Sequence, residues 1–147
     1  MISILVKSFD DLSKIELYKI LRLRAEVFIV EQDCIYQDID DKDQKALHVI
    51  LKKESEIIGY TRIFWPGDYF DEASIGRVVI SKKERHNCYG TDLMKASVNA
   101  IYETIKTKKI KISAQTYLKE FYNNLGFYEK GKEYLEDGIP HISMIKE

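Results

Sequence analysis

Hydrophobic positions along this chain change period several times, and each change marks the edge of an element. Ile2, Ile4 and Val6 recur every second residue, the period of a strand with one covered face. Ile20, Leu23, Val27 and Val30 recur every three or four, which predicts a helix over residues 12–30. Asp10, Asp11 and Ser13 stand near its start as cap candidates. Residues 36–45 are acidic and aperiodic and are expected to form a loop. Two apolar runs follow, residues 47–52 and 57–65. Glu54, Ser55 and Glu56 would turn between them, and Pro66, Gly67 and Asp68 would end the second. Residues 74–80 predict a fourth strand, whose consecutive Val78, Val79 and Ile80 suit cover on both faces. A helix over residues 89–104 puts Met94, Val98 and Ile101 on one face, and Ile105 continues it. A strand over 110–114 and a helix over 117–125 follow, with Gly126 to close the helix. Residues 127–130 and 139–145 would make a final antiparallel pair. The order β-α-β-β-β-α-β-α-β-β predicts a mixed α/β layer fold.

Length and charge narrow the picture. The 147 residues suffice for one domain, taken as 1–147. With 23 basic and 24 acidic side chains and a net charge of −1, no broad attraction to nucleic acid or an anionic membrane is expected. Cys34 and Cys88 lie outside any CxxC pair or zinc spacing, so they read as free thiols in a reducing cytosol, with no metal site. No apolar run approaches the ~20 residues of a membrane span, and the N-terminus lacks a signal-peptide pattern. A cytoplasmic location is expected. The FIV and WPGDYF stretches carry enough apolar surface for a homodimer.

Candidate chemistry concentrates where the fourth strand runs through Ser81–Thr91 into a helix. A helix start has about four unpaired N–H groups and partial positive charge, a site for phosphate. Gly90 would let a ligand approach the backbone closely. One glycine before a helix is weak evidence by itself, because a plain helix-entry turn has the same pattern.

The wider pattern carries more. Ile75-Gly76-Arg77-Val78-Val79-Ile80-Ser81, then Arg85-His86-Asn87-Cys88-Tyr89-Gly90, resembles the strand and Gln/Arg-x-x-Gly-x-Gly/Ala turn of GNAT acetyltransferases. Arg85 matches the first position and Gly90 the last. Cys88 stands where the family usually has glycine. The turn can still form if Cys88 takes a φ below zero, and weaker acyl-CoA affinity is expected. Downstream, Gln115 and Phe121-Tyr122-Asn123-Asn124-Leu125-Gly126-Phe127 resemble the family's later motif. RAEVFIVEQ at 24–32, the acidic stretch from Tyr36, and YLEDGIPH at 134–141 look like its ElaA-type branch.

The resemblance implies a single-domain GNAT fold: a mixed, mostly antiparallel central sheet flanked by helices, with splayed fourth and fifth strands. It implies acetyl-CoA as cosubstrate and direct attack by an amine, either a small molecule or a peptide. Backbone at Val78, Val79 and Ile80 would hold the pantetheine and polarise the thioester. Arg85, His86, Asn87, Cys88, Tyr89, Gly90 and Thr91 would cradle the diphosphate, and Gln115 would contact the cofactor arm. Tyr122 would protonate the departing thiolate. For the base, Glu31, His48, Glu136, Asp137 and His141 are candidates, with His141 and Glu136 favoured as catalytic. Arg24, Glu31, His48 and Asp137 are expected on the acceptor side. Polyamine, amino acid, antibiotic and protein N-terminus all remain open as acceptors. An acyl-CoA sensor of the same fold without turnover is the alternative. The turn lacks both the P-loop ending and GxGxxG, which disfavours other nucleotide-binding enzymes.

Overall fold

The computed structural model describes residues 1–147. The strands are β1 (Ile2–Ser8), β2 (Leu47–Lys53), β3 (Glu56–Phe64), β4 (Ala73–Ile80), β5 (Ile110–Gln115), β6 (Tyr128–Glu129), β7 (Tyr134–Glu136) and β8 (Ile139–Lys146). The helices are α1 (Lys14–Arg24), α2 (Tyr89–Ala100) and α3 (Lys119–Asn123). All eight strands join one sheet in the order β1-β2-β3-β4-β5-β8-β6, with β7 also on β8. Neighbours are antiparallel except β4 and β5, which run parallel.

Both faces of the sheet are covered. Val49, Leu51, Ile63, Ile75, Ile112 and Met144 pack with Leu93, Met94 and Ile101 of the α2 layer. On the other face Ile50, Tyr60 and Val79 pack with Ile20, Leu23 and Val27. Alternate residues of β2 therefore enter different cores, as the two-residue period of a strand requires.

Local chemistry explains the helix boundaries. Ser13 Oγ accepts from the Glu16 amide at 3.0 Å, and Glu16 Oε1 accepts from the Ser13 amide at 2.8 Å. This reciprocal pair satisfies two of the four free amides at the start of α1. The helix predicted over 12–30 is regular only to Arg24; Ala25–Glu31 continues as a wider π-helical stretch. Past the short 3-10 turn Thr116–Leu118, α3 closes at Gly126, where φ is +94° and the Phe127 amide donates back to Tyr122 O at 3.1 Å.

The chain's end differs from the expected single pair. Tyr128–Glu129 does pair with β8, at Met144 and Ile145. In addition Tyr134–Glu136 forms a strand against Ile139–His141, joined by the two-residue turn Asp137-Gly138. Both turn residues have positive φ, +52° and +78°, the geometry of a type I′ hairpin that Asp-Gly favours.

Candidate active site

β4 and β5 pair only at Ala73–Ile110 and Ser74–Lys111. Beyond that point they diverge, leaving a V inside the sheet. A cavity of about 110 Å³ opens in it, between Gly76, Arg77 and Val78 of β4 and Ile112, Ser113 and Gln115 of β5. A bulge bends the β4 wall: Tyr60 faces Val79 and Arg62 faces Gly76, so Arg77 and Val78 together oppose Thr61. Arg77 sits at the bend with φ +50°.

Tyr122 reaches the cavity from α3 and is 5% exposed, packed edge-on against Phe121 and Phe127. Burial pushes its phenol above the ordinary value, so it holds its proton through the neutral range.

The β7–β8 hairpin supplies the opposite wall with Glu136, Asp137, Ile139 and His141. His141 Nδ1 lies 2.7 Å from Ile139 O. A carbonyl only accepts, so in the neutral ring this nitrogen carries the hydrogen and Nε2 keeps a lone pair. Nε2 lies 3.5 Å from Glu136 Oε2, and Tyr134 stacks on the imidazole. Ser113 donates to Glu136 Oε1 at 3.2 Å and also hydrogen-bonds the Tyr134 hydroxyl. Gln115 touches Gln32 from the far end of the first helical segment, at 3.4 Å.

The phosphate-type turn is a run of 3-10 structure, Lys82–Asn87, leading into α2. Cys88 has φ +59° and ψ +20°, so it is left-handed, contrary to the negative φ expected for it. The family's glycine at this position has the same explanation: a Cβ there costs roughly 1–2 kcal/mol. No side chain caps α2, in contrast to α1, so the turn around Tyr89, Gly90 and Thr91 has no side-chain acceptor for its amides. Arg85, His86 and Asn87 are exposed. Both terminal nitrogens of Arg85 are bound by Glu31, at 2.5 and 2.7 Å. Val79 turns its side chain into the α1 core, while Val78 and Ile80 pack toward α2. Any cofactor contact at Val79 must be through the backbone.

Three residues expected on the acceptor side lie elsewhere. Arg24 is fully buried, donating to Asp38 Oδ2 at 3.0 Å, Asp38 O at 3.0 Å and Asp43 Oδ1 at 2.8 Å, away from the cavity wall. His48 sits in β2, accepting from Tyr60 through Nδ1 (2.6 Å) and donating to Asp43 O through Nε2 (2.9 Å). Glu31 is taken up by Arg85. The acidic loop has a structural task that its composition does not disclose. Asp38, Asp40 and Asp43 neutralise Arg24, Arg62 and Arg77, each aspartate bridging two arginines. Arg77 Nε lies 2.7 Å from Asp38 Oδ1, an ion pair that pins the bulge. Burial raises the Asp40 carboxyl, but Arg62 and Arg77 outweigh it and hold the group well below the carboxylate range.

Sequence reasoning missed several cavity residues: Gln32, Cys34, Arg62, Tyr69, Phe70, Ser74, Ser113. The Asp-Gly dipeptide could have revealed β7 and, through it, the wall facing Ser113. Arg62 and Ser74 had only the weaker signal of polar residues inside apolar strand runs.

The architecture is a splayed parallel pair in an otherwise antiparallel sheet, with an uncapped helix in the crossover between its two strands, and sequence comparison gives the family. The model of the acetyltransferase (GNAT) domain matches residues 11–147, and the chain belongs to that family. Within it the chain is ElaA-like. It is 38% identical over 140 residues to protein ElaA of Escherichia coli, spanning 94% of this chain and 92% of that protein. A Schizosaccharomyces pombe protein of the UPF0039 group is equally similar, 38% over the same shares. Among solved structures, E. coli ElaA superposes with TM-score 0.93 at 36% identity, and an acyl-CoA N-acyltransferase from Pseudomonas aeruginosa with 0.94 at 34%. Both cover 100% of each chain. An aminoglycoside 6'-N-acetyltransferase complexed with coenzyme A matches at TM-score 0.73 and 16% identity over 97% of this chain and 96% of its own, a likeness of fold alone.

Proposed function

We propose that this protein transfers an acetyl group from acetyl-CoA to an amine by direct attack. The observation that carries the reading is the V between β4 and β5, with a buried, protonated Tyr122 on one wall and His141 with Glu136 on the other. The residues present fit the cosubstrate. The diverging strand edges offer backbone groups to an extended pantetheine, as sheet edges do to an added strand. The uncapped start of α2 suits a diphosphate. At Gly90 the fold itself leaves ordinary room for a Cβ, 3.5 Å from Phe121, so close approach of a ligand explains the glycine better than packing does. The relative from P. aeruginosa, described as an acyl-CoA N-acyltransferase, supports the same chemistry.

Acetyl-CoA, when bound, supplies the activated acyl group. The chain's residues do the rest. His141 Nε2 takes a proton from the acceptor ammonium, and Glu136 stabilises the imidazolium that results. Backbone amides at the β4 bulge, around Val78, donate to the thioester oxygen. Tyr122 gives its proton to the leaving sulfur and is restored by the second proton that the attacking nitrogen sheds as it becomes an amide. The cavity walls hold the reacting atoms together, which supplies much of the rate.

Tyr122→Phe should lower kcat by about 10²-fold with little change in the KM for acetyl-CoA, read from CoA thiol release. A wild-type rate would remove Tyr122 from the chemistry. Tight CoA binding with no transfer to a broad amine panel would favour the sensor instead.

A further inference from the structure

Three buried polar atoms on the cavity lining make no hydrogen bond; Arg77 Nε faces Asp38 Oδ1 at 2.7 Å, which leaves Arg62 Nε and Ser74 Oγ, on the floor of the V, with no partner in the protein. Their residues are 1% and 2% exposed and both line the cavity. Phe64 pairs with Ser74 and Arg62 with Gly76, so the two side chains are diagonal neighbours on one face of β3 and β4. Ser74 is also the last residue of β4 to pair with β5, which puts its hydroxyl at the vertex. Buried polar groups are nearly always hydrogen-bonded, and leaving one unpaired is costly. Two unpaired donors on one cavity floor call for an acceptor atom between them. The other Arg62 nitrogens are engaged by Asp40 and Asp43, so Nε is the donor left over.

Charge narrows the chemistry of that atom. The three arginines of the network, Arg24 and Arg62 buried and Arg77 half-buried, are matched by three aspartates. The unmatched carboxylates on the lining are Glu136 and Asp137, both on the hairpin wall. Burial, then the charge of Glu136, pushes the Tyr69 phenol up, so that negative field reaches across the cavity. The wall therefore attracts an ammonium, and its two carboxylates, with no unmatched arginine charge on the floor to offset them, disfavour a carboxylate on the acceptor. The stacked rings of Phe64 and Tyr69, 5.2 Å apart, and Phe70 set edge-on to Tyr69 give the space between them flat apolar sides.

We propose that the acceptor is a small amine with an uncharged carbonyl oxygen a few bonds from its nitrogen, as in an amino-acid amide or the first residue of a peptide. The oxygen docks on Ser74 Oγ and Arg62 Nε at the vertex, and the nitrogen faces His141 and Glu136. This rests on the transferase reading above and assigns Ser74 a role in acceptor specificity.

Three acceptors of matched size separate the possibilities: alaninamide, alanine and isopropylamine. Alaninamide should be used at least about tenfold better than the other two in kcat/KM reckoned on the unprotonated amine, since an amine beside a carbonyl is the weaker base and has more of its free form at a given pH. Ser74→Ala should raise the alaninamide KM by about 5–10-fold. It should leave the KM for acetyl-CoA unchanged and cost isopropylamine, which has no oxygen to dock, clearly less than it costs alaninamide. The same variant should keep or raise the melting temperature by about 2–4 °C, since it removes an unpaired buried hydroxyl. Equal use of isopropylamine, preference for alanine, or a Ser74→Ala loss shared by all three amines would overturn the proposal. Transfer to isopropylamine with no oxygen preference leaves the transferase intact and sinks only this inference. CoA binding with transfer to none of the three, nor to a broad amine panel, sinks both.

Discussion

Single residues with no freedom to move decide much of this molecule's behaviour. Arg24 illustrates how a sequence can mislead: its place in the RAEVFIVEQ motif suggested a substrate contact, yet Asp38 and Asp43 consume it inside the fold. Nothing local to residue 24 points to partners that arrive from a loop fourteen and nineteen residues on. His48 shows the same pattern and makes a pH prediction. Burial, outweighing the help of the Asp43 carbonyl, holds its imidazole below the ordinary value of ~6.5. The unfolded chain then takes up a proton that the folded one refuses, so stability is complete above about pH 6.5 and falls as pH drops below it. A second fall belongs to Glu16, whose carboxyl the Lys7 hydrogen bond and the Ser13 amide lower to about 2; its contribution is present above about pH 4.5 and lost on the way down to 2. Thermal melts from pH 8 to pH 4 should show the first decline in the wild type and not in His48→Gln, measured relative to each protein's own value at pH 8. Parallel curves would assign the decline to another group.

Elements act here by what their ends hold. The π-helical end of the first helix carries Glu31 to Arg85, joining that helix to the turn after β4. Arg85 cannot serve a phosphate with those two nitrogens while Glu31 holds them. Glu31→Gln should therefore lower the KM for acetyl-CoA and Arg85→Ala should raise it. Each change should stay within about fivefold, because a partly exposed ion pair contributes only ~0–1 kcal/mol. Changes in the same direction would show that the pair acts as one cofactor-binding unit. The strands themselves were legible from period alone, since β1 to β5 have the alternation or the two-sided apolar run that their cover demands. The β7–β8 hairpin was not, because three exposed or half-exposed residues carry no hydrophobic signature. Its only local mark is Asp137-Gly138.

At the scale of the whole molecule, family resemblance pointed to Tyr122, which the fold places on the cleft between β4 and β5. What it could not supply was the depth of that cleft. The orphan donors of Arg62 and Ser74, the bulge at Arg77 and the three-arginine network depend on pairings between residues distant in the chain. Only the sheet order brings them together. The break in that order has a consequence of its own. Two residue pairs are all the backbone pairing that joins β1–β4 to β5–β8 in the sheet, the rest of the join being side chains packed under α2. Under native conditions such a seam should divide the protein into two cooperative units with separate opening free energies. Backbone amides on the β5–β8 side would then exchange with deuterium at a rate distinct from those of β2 and β3. A ligand that spans the seam would draw the two rates together, making exchange a way to see cofactor binding before any acceptor is known.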